Sequence, residues 1–229
     1  MQIEVDLRNL QSKYTSNPVK VVFGRGCRSQ LRENIDGKKC LVITSQRGCR
    51  ELKSDKFLSW LFCNDNNCFI SDVPVNPTVE YLDVTLSKLE NDYEVIIAIG
   101  GGSVIDVAKV VSVVKSTGIF RSIYELQKRV LDISVAPLYV LPTTSGSGSE
   151  VTPYAAIWSV ANKKKISMSG VGLFPFAAYV DPELCDHLPV DISVSCGLDA
   201  INQASESIWN LNATADSIYV ASQALKLGF

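Results

Sequence analysis

The chain has 229 residues, 46% hydrophobic and 20% charged, with a formal net charge of −2. That balance is globular, suffices for one or two cored domains, and gives no electrostatic reason to expect nucleic acid or an anionic membrane as partner. No apolar run reaches membrane-spanning length, the polar start Met1-Gln2-Ile3-Glu4-Val5-Asp6 is unlike a signal peptide, and the seven cysteines lack CxxC pairing, so reduced thiols and a cytoplasmic location are expected.

In chain order, residues 19–23 (Val-Lys-Val-Val-Phe) read as a strand running into Gly24-Arg25-Gly26. A Gly37-Lys38-Lys39 turn leads into a second strand over 40–44, and residues 57–62 and 79–89 read as amphipathic helices. Residues 95–99 (Val-Ile-Ile-Ala-Ile) form a third strand and 137–141 a fourth, ending at Pro142. Strands alternating with helices imply a parallel α/β sheet whose ligand site lies at the strand C-termini. From about Pro189 the strand patterns stop. Ala200, Ile201, Ala204 and Ile208, then Ile218, Val220, Ala221, Ala224 and Leu225, fall at helical spacing.

The third strand runs directly into Gly100-Gly101-Gly102-Ser103, followed by a helical pattern of Val104, Ile105, Val107, Ala108, Val111 and Val114. Glycines let backbone N–H groups approach an anion, and the helix N-terminus adds donors and partial positive charge, so this is a phosphate cradle. No lysine and hydroxyl follow the last glycine, which excludes a P-loop, and Val104 and Ile105 interrupt any GxGxxG fingerprint. A plain tight turn is the alternative. Ser103 and Asp106 have the form of a capping box; Asp106 and Lys109 are accordingly expected at the helix cap and surface. A second glycine-rich stretch, Pro142-Thr143-Thr144-Ser145-Gly146-Ser147-Gly148-Ser149-Glu150-Val151-Thr152, also follows a strand and should share its rim. Alone it would suit a flexible loop; beside the first motif it suggests hydroxyls that bind a polyphosphate or ribose.

With both motifs in view, the chain resembles the iron-containing (group III) alcohol dehydrogenase family. The matching residues are Asn76-Pro77-Thr78, Gly100 to Ser103 with Asp106 and Lys109, Pro142 to Thr144, Gly148 to Thr152, Lys165, Val180-Asp181-Pro182-Glu183-Leu184 and Gly197-Leu198-Asp199-Ala200. The resemblance covers the family's N-terminal part only, so the chain reads as truncated at its C-terminal side. It implies a dehydroquinate synthase-like architecture: an α/β dinucleotide-binding domain over residues 1–188, then the beginning of a helical metal and substrate domain over 189–229. Gly101, Gly102 and Ser103 would hold the pyrophosphate of a nicotinamide dinucleotide, and Thr143, Thr144 and Ser147 would line it. Thr152 and Lys165 would contact its ribose and nicotinamide side, and Leu184 would pack beside it. Lys165, within a run of three lysines, also reads as a solvated turn.

Family members with a preference for NAD tend to carry an aspartate where this chain has Ser45, and Arg47 offers a positive charge nearby, so NADP(H) is favoured over NAD(H). The family binds a divalent metal, iron or zinc, through one aspartate and three histidines. Asp199 matches the aspartate, but the histidine four residues on is Gln203. His187, the one histidine here, matches no ligand position. An amide is a poorer donor than imidazole, and the Gln203 amide could instead donate a hydrogen bond to a substrate carbonyl.

The implied activity is NAD(P)H-dependent interconversion of a small aldehyde and its alcohol, with impaired activity expected for the truncated chain. Residues 152–158 and 199–209 look most like the phosphonoacetaldehyde reductase branch. Two other readings stand beside it: a dehydroquinate synthase-like lyase, and a non-catalytic nucleotide-binding or regulatory chain. Homodimerisation is left open.

Overall fold

The structure, a computed structural model, describes residues 17–89, 92–117 and 136–228. Strands β1 (Lys20–Phe23), β2 (Cys40–Thr44), β3 (Cys68–Ile70), β4 (Val95–Gly100), β5 (Leu138–Pro142) and β8 (Ala177–Val180) form one sheet in the order β1-β8-β5-β4-β2-β3, with every pairing parallel. Strands β6 (Tyr154–Ser159) and β7 (Lys164–Ser169) form a separate antiparallel hairpin. Helices α1 (Leu31–Ile35), α2 (Gln46–Leu52), α3 (Val79–Ser87) and α4 (Gly102–Thr117) connect the sheet strands. Helices α5 (Val190–Trp209) and α6 (Ala215–Gly228) follow.

All residues of β2, β4 and β5 are buried. Side chains alternate across a strand, and both faces are covered. Leu41, Ile43, Ile96, Ala98, Leu138 and Val140 pack with α3 and α4 residues such as Leu82, Leu86 and Val107. Cys40, Val42, Val95, Ile97, Ile99, Tyr139 and Leu141 pack on the opposite face with Leu31, Ile35, Leu52, Leu58 and Leu61. Burial on two faces explains why these strands are unbroken apolar runs in the sequence.

Residues 57–62 do not form the expected amphipathic helix but a 3-10 turn, Ser59–Cys63. Leu58 and Leu61, three apart, are both fully buried. The Asp55 carboxylate accepts from the Phe57 and Leu58 N–H groups at 2.8 and 3.0 Å, and Asn67 Nδ2 donates to the Leu61 carbonyl at 2.9 Å. Side-chain partners thus take up the backbone groups that a longer helix would use.

The strand residues Val19–Thr143 and the later Ser149–Asp186 make one compact unit. Within it, a buried ion cluster joins the loops after β1 and β8. Arg28 Nη1 donates to Asp181 at 2.6 Å and Glu183 at 2.9 Å, and Arg28 Nε donates to Asp55 at 3.1 Å. Asp181, 1% exposed, also accepts from the backbone of Gly26 and Glu183. Burial alone would raise the Asp181 carboxyl pKa; the bonds from Arg28, Gly26 and Glu183 outweigh it and hold the pKa below the usual carboxylate value.

A second unit gathers Thr144–Gly148 with residues from His187 onward. There α5 and α6 pack on each other. Thr214 starts α6 by a reciprocal cap: its Oγ1 accepts from Ser217 N at 3.1 Å, and its N donates to Ser217 Oγ at 2.9 Å. No described helix is long and apolar enough to cross a membrane.

Arg28→Met should strand the buried Asp181 carboxylate and cost about 3–5 kcal/mol in urea unfolding. The depressed Asp181 pKa stabilises the fold above the unfolded carboxyl value, and that contribution is lost as pH falls through the lower folded value. Asp181→Asn should therefore flatten the acid limb of the stability curve below about pH 4, as followed by urea melts at stepped pH.

Candidate nucleotide-binding site

The site is built at the C-terminal ends of three neighbouring strands. The register pairs Thr44 of β2 with Ile99 of β4, and Gly100 of β4 with Pro142 of β5. The exits of β2, β4 and β5 therefore rise side by side from one rim, carrying Ser45, Gly101–Ser103 and Thr143. Two further bonds fix this rim: Thr44 Oγ1 donates to the Ile99 carbonyl at 2.7 Å, and Thr143 N donates to the Gly100 carbonyl at 3.1 Å.

Gly100 sits so close to the first turn of α4 that an added Cβ would lie 2.6 Å from Val104 Cγ2. Such an approach admits no side chain without movement. The Gly101 carbonyl accepts from Val104 N at 3.0 Å and Ile105 N at 3.2 Å, so Gly101 caps α4 through its backbone. Gly101, Gly102 and Ser103 remain half-buried, at the start of a 16-residue helix that directs its N-terminal dipole at the rim. This arrangement fits an anionic pyrophosphate.

The expected Ser103–Asp106 capping box does not form. Ser103 Oγ accepts instead from Asn76 N at 3.2 Å, and Asp106 turns inward to accept from Ser149 Oγ at 2.7 Å and Ala156 N at 2.9 Å. Lys109 is not on the surface either: it is completely buried. Its ammonium donates to Ser149 Oγ at 3.1 Å, the Thr152 carbonyl at 2.9 Å and the Tyr154 carbonyl at 2.7 Å. Burial lowers the Lys109 pKa to about 8, against the opposing charges of Asp106 and Glu150. A sequence signal for this was present. Asp106 and Lys109 are the two charged residues in the run Val104 to Val114, and a helix apolar on nearly every side is buried.

Thr152 lies at the entrance of the hairpin, beside Lys109. Lys165 is exposed on β7, opposite Trp158, and its charge acts on the Asp106 carboxyl. Its backbone is strand rather than the solvated turn that its lysine run suggests. Leu184 lies in the 3-10 turn Pro182–Cys185 after β8 and packs on the Tyr139 and Tyr179 face of the core. Ser45 caps α2, its Oγ accepting from Gly48 N at 3.1 Å, and Arg47 Nε donates to Glu51 at 2.7 Å.

Thr144 and Ser147 belong to the other unit, in the segment Thr144–Gly148. Here Gly146 is pressed against α5: an added Cβ would lie 2.7 Å from the Cys196 carbonyl oxygen and 2.9 Å from its Cα. Gln203 Nε2 donates to Asp199 Oδ2 at 2.9 Å and to the Gly146 carbonyl at 3.4 Å. Two acceptors on one amide fix its orientation, nitrogen towards the carboxylate. Asp199 and Gln203 thus satisfy each other in a way that a histidine ligand would not, and no group of three or more His, Cys, Asp or Glu among the described residues could hold a metal ion. These residues do not fit a metal centre. His187 is exposed, just before α5.

The parallel sheet and its flanking helices define a Rossmann-like α/β fold. A model of the iron-containing alcohol dehydrogenase family matches residues 18–182, and the chain belongs to that family. It is 35% identical over 221 residues to the NAD-dependent methanol dehydrogenase of Bacillus methanolicus, covering 92% of this chain and 56% of that protein. It is 32% identical over 170 residues to the phosphonoacetaldehyde reductase of Streptomyces viridochromogenes, covering 71% of this chain and 42% of that protein. Among solved structures, the sulfoacetaldehyde reductase from Bifidobacterium kashiwanohense in complex with NAD+ superimposes with a TM-score of 0.81 at 27% identity, over 93% of this chain and 57% of that one. The chain spans between 25% and 59% of the length of the curated relatives it matches.

Gly100→Ala should lose about 1–3 kcal/mol of stability by overpacking, and Val104→Ala in the same chain should restore most of it. Gly146→Ala meets backbone rather than a side chain, so truncating Cys196 should give no comparable rescue. Urea unfolding of the single and double variants distinguishes the two sites.

Proposed function

We propose that the chain binds a nicotinamide dinucleotide and serves an oxidoreductase that interconverts a small aldehyde and its alcohol. The observation that carries this reading is the alignment of three strand exits, with the glycine turn at the start of α4 between the other two. In it Gly101, Gly102 and Ser103 bind the pyrophosphate, and Thr143, Thr144 and Ser147 line the dinucleotide. Thr152 and Lys165 meet its ribose and nicotinamide side, with Leu184 packed beside it. When bound, the nicotinamide supplies or accepts the hydride. The chain's own part is to hold and orient the dinucleotide and to exclude water from it.

An aldehyde bearing an acidic group is the proposed substrate class, with phosphonoacetaldehyde as its first member to test. Its support is the likeness of residues 152–158 and 199–209 to the phosphonoacetaldehyde reductase branch and the Streptomyces relative. The family match speaks against a dehydroquinate synthase-like lyase. The mutual bond between Asp199 and Gln203 favours a second reading, a nucleotide-binding chain without its own catalytic centre. Aldehyde-dependent consumption of NAD(P)H by the purified chain supports the first reading; nucleotide binding without turnover supports the second.

NADP(H) is proposed over NAD(H). No carboxylate stands at Ser45 to repel a 2′-phosphate. Arg47 is held by Glu51, but the two side chains are 48% and 59% exposed. A surface pair of that kind contributes only about 0.2–1 kcal/mol, so a phosphate can displace it. Fluorescence titration should give tighter binding for NADPH than for NADH. Arg47→Ala should weaken NADPH about tenfold, as expected for one charge-assisted contact, and leave NADH nearly unchanged. Equal or tighter binding of NADH by the wild-type chain overturns the preference.

A further inference from the structure

The turn after β8 is held from outside as well as from within. Pro182–Cys185 form a single 3-10 turn, a short element with poor bonds of its own. Asp181 starts it: the carboxylate accepts from Glu183 N at 3.1 Å, and the carbonyl accepts from Leu184 N at 3.0 Å. The loop after β1 then grips the turn at two points. Arg28 Nη1 donates to Glu183 Oε2 at 2.9 Å, and Arg25 donates through both Nη atoms to Asp186 at 2.7 and 3.1 Å. Lys56 Nζ adds a longer contact with Glu183, at 3.8 Å. Between the gripped residues stands Leu184, half-buried.

The sheet decides what Leu184 faces. β8 neighbours β5 and runs parallel to it, so the turn opens on the rim that carries Thr143, Gly101–Ser103 and Ser45. Leu184 packs on the face of Val42, Ile97 and Tyr139, the face that α2 covers through Leu52. Helix α4 and the β6–β7 hairpin cover the opposite face, through Val107, Ala155 and Ile157. The two faces therefore divide a dinucleotide whose pyrophosphate lies at the cradle. Thr152 and Lys165 serve the nicotinamide half from the hairpin side. The adenosine half turns to the other face, between the Ser45 end of α2 and Leu184.

We propose that Arg28 and Glu183 are positioning residues for the adenine ring: their ion pair holds Leu184 at the rim as a preformed apolar wall, and neither touches the nucleotide. This rests on the reading that the cradle binds a nicotinamide dinucleotide. An ungripped turn would have to be ordered when the nucleotide arrives, and that ordering would subtract from its affinity. The ion pair orders it beforehand. Arg28 suits the task because Asp55 and Asp181 already fix its guanidinium, so Glu183 meets a donor that is held in place. The effect belongs to the adenine end alone, since the hairpin stands on the opposite face of the sheet. A pair that merely stabilised the fold would not distinguish the two ends of the dinucleotide.

The test is a double-mutant cycle on the full chain, read by fluorescence titration with NADH and with reduced nicotinamide mononucleotide, which lacks the adenosine. Leu184→Ala should weaken NADH about fivefold through lost apolar contact. Glu183→Ala should weaken it about threefold, because the ordering of one side chain moves onto the binding step. The double variant should bind NADH no more weakly than Leu184→Ala, since one residue acts through the other. Every variant should bind the mononucleotide as wild type does. Arg28→Lys keeps a charge beside Asp181 but not the fork that also reaches Glu183. It should reproduce the threefold loss, and the cycle runs on it if Glu183→Ala does not fold. Losses that add in the double variant overturn the proposal. So does wild-type NADH affinity in a folded Glu183→Ala, or equal weakening towards both ligands. Wild type that binds NADH no more tightly than the mononucleotide removes the adenine wall but leaves the cradle reading intact. Wild type that binds neither removes the nucleotide reading itself, and the wall with it.

Discussion

The parallel pairing of β4 between β2 and β5 is the constraint on which the rest depends. Each of the three strands is buried on both faces, and each large aliphatic side chain so buried contributes about 1.5–3 kcal/mol. A slip of one residue would exchange the two faces of apolar side chains, so the register is strongly fixed. The strands run parallel, and their C-terminal ends therefore fall together. Within β4 the backbone is spoken for by its two neighbours. The first groups able to meet a ligand are those just past Gly100, where α4 begins. A binding rim follows from sheet geometry before any specific side chain is considered, and the glycines then make the backbone accessible there.

Much of this was legible in the sequence because burial on two faces leaves a plain mark. The runs at 40–44, 95–99 and 137–141 are apolar except for Thr44, and each lies within a residue of the observed strand. Strand β8 carries no such mark: Ala177 and Ala178 are small and without β-preference, and their place between β1 and β5 is set by packing. Strand β3 is only three residues long, too short to show a period. The hairpin alternates in burial, but Ala156 and Ser159 blur the contrast, and Lys163 to Lys165 suggest a solvated turn.

The site divides in the same way. The glycine cradle is local and could be read from one stretch of chain. The positions of Asp106 and Lys109 could not, because their partner Ser149 lies 40 residues or more away. Ser103 and Asp106 have the residue types of a capping box, yet a capping bond near the surface is worth about 1 kcal/mol. Asp106 finds a hydroxyl and a backbone N–H inside the protein, where leaving either unpaired would cost more. Local propensity lost to a buried, distant partner, at the place where the helix serves something beyond itself.

Two buried cations in one unit show how partner chemistry decides what a buried charge can do. Arg28 has carboxylates of Asp55, Asp181 and Glu183 within 3.1 Å and lies over the Phe57 ring. Burial works to lower its pKa, the three carboxylates outweigh it, and the guanidinium is charged at any pH the protein meets. That cluster ties two loops permanently. Lys109 is buried as deeply but faces two carbonyls and two hydroxyls, and Asp106 is joined to it through Ser149. Neutral acceptors orient an ammonium without fully repaying its desolvation, so burial wins and the pKa falls to about 8. A charge held by dipoles rather than by counter-charges can be removed within the physiological range. The chain places that removable charge where the cradle helix meets the hairpin, and its permanent one in the loops that follow β1 and β8.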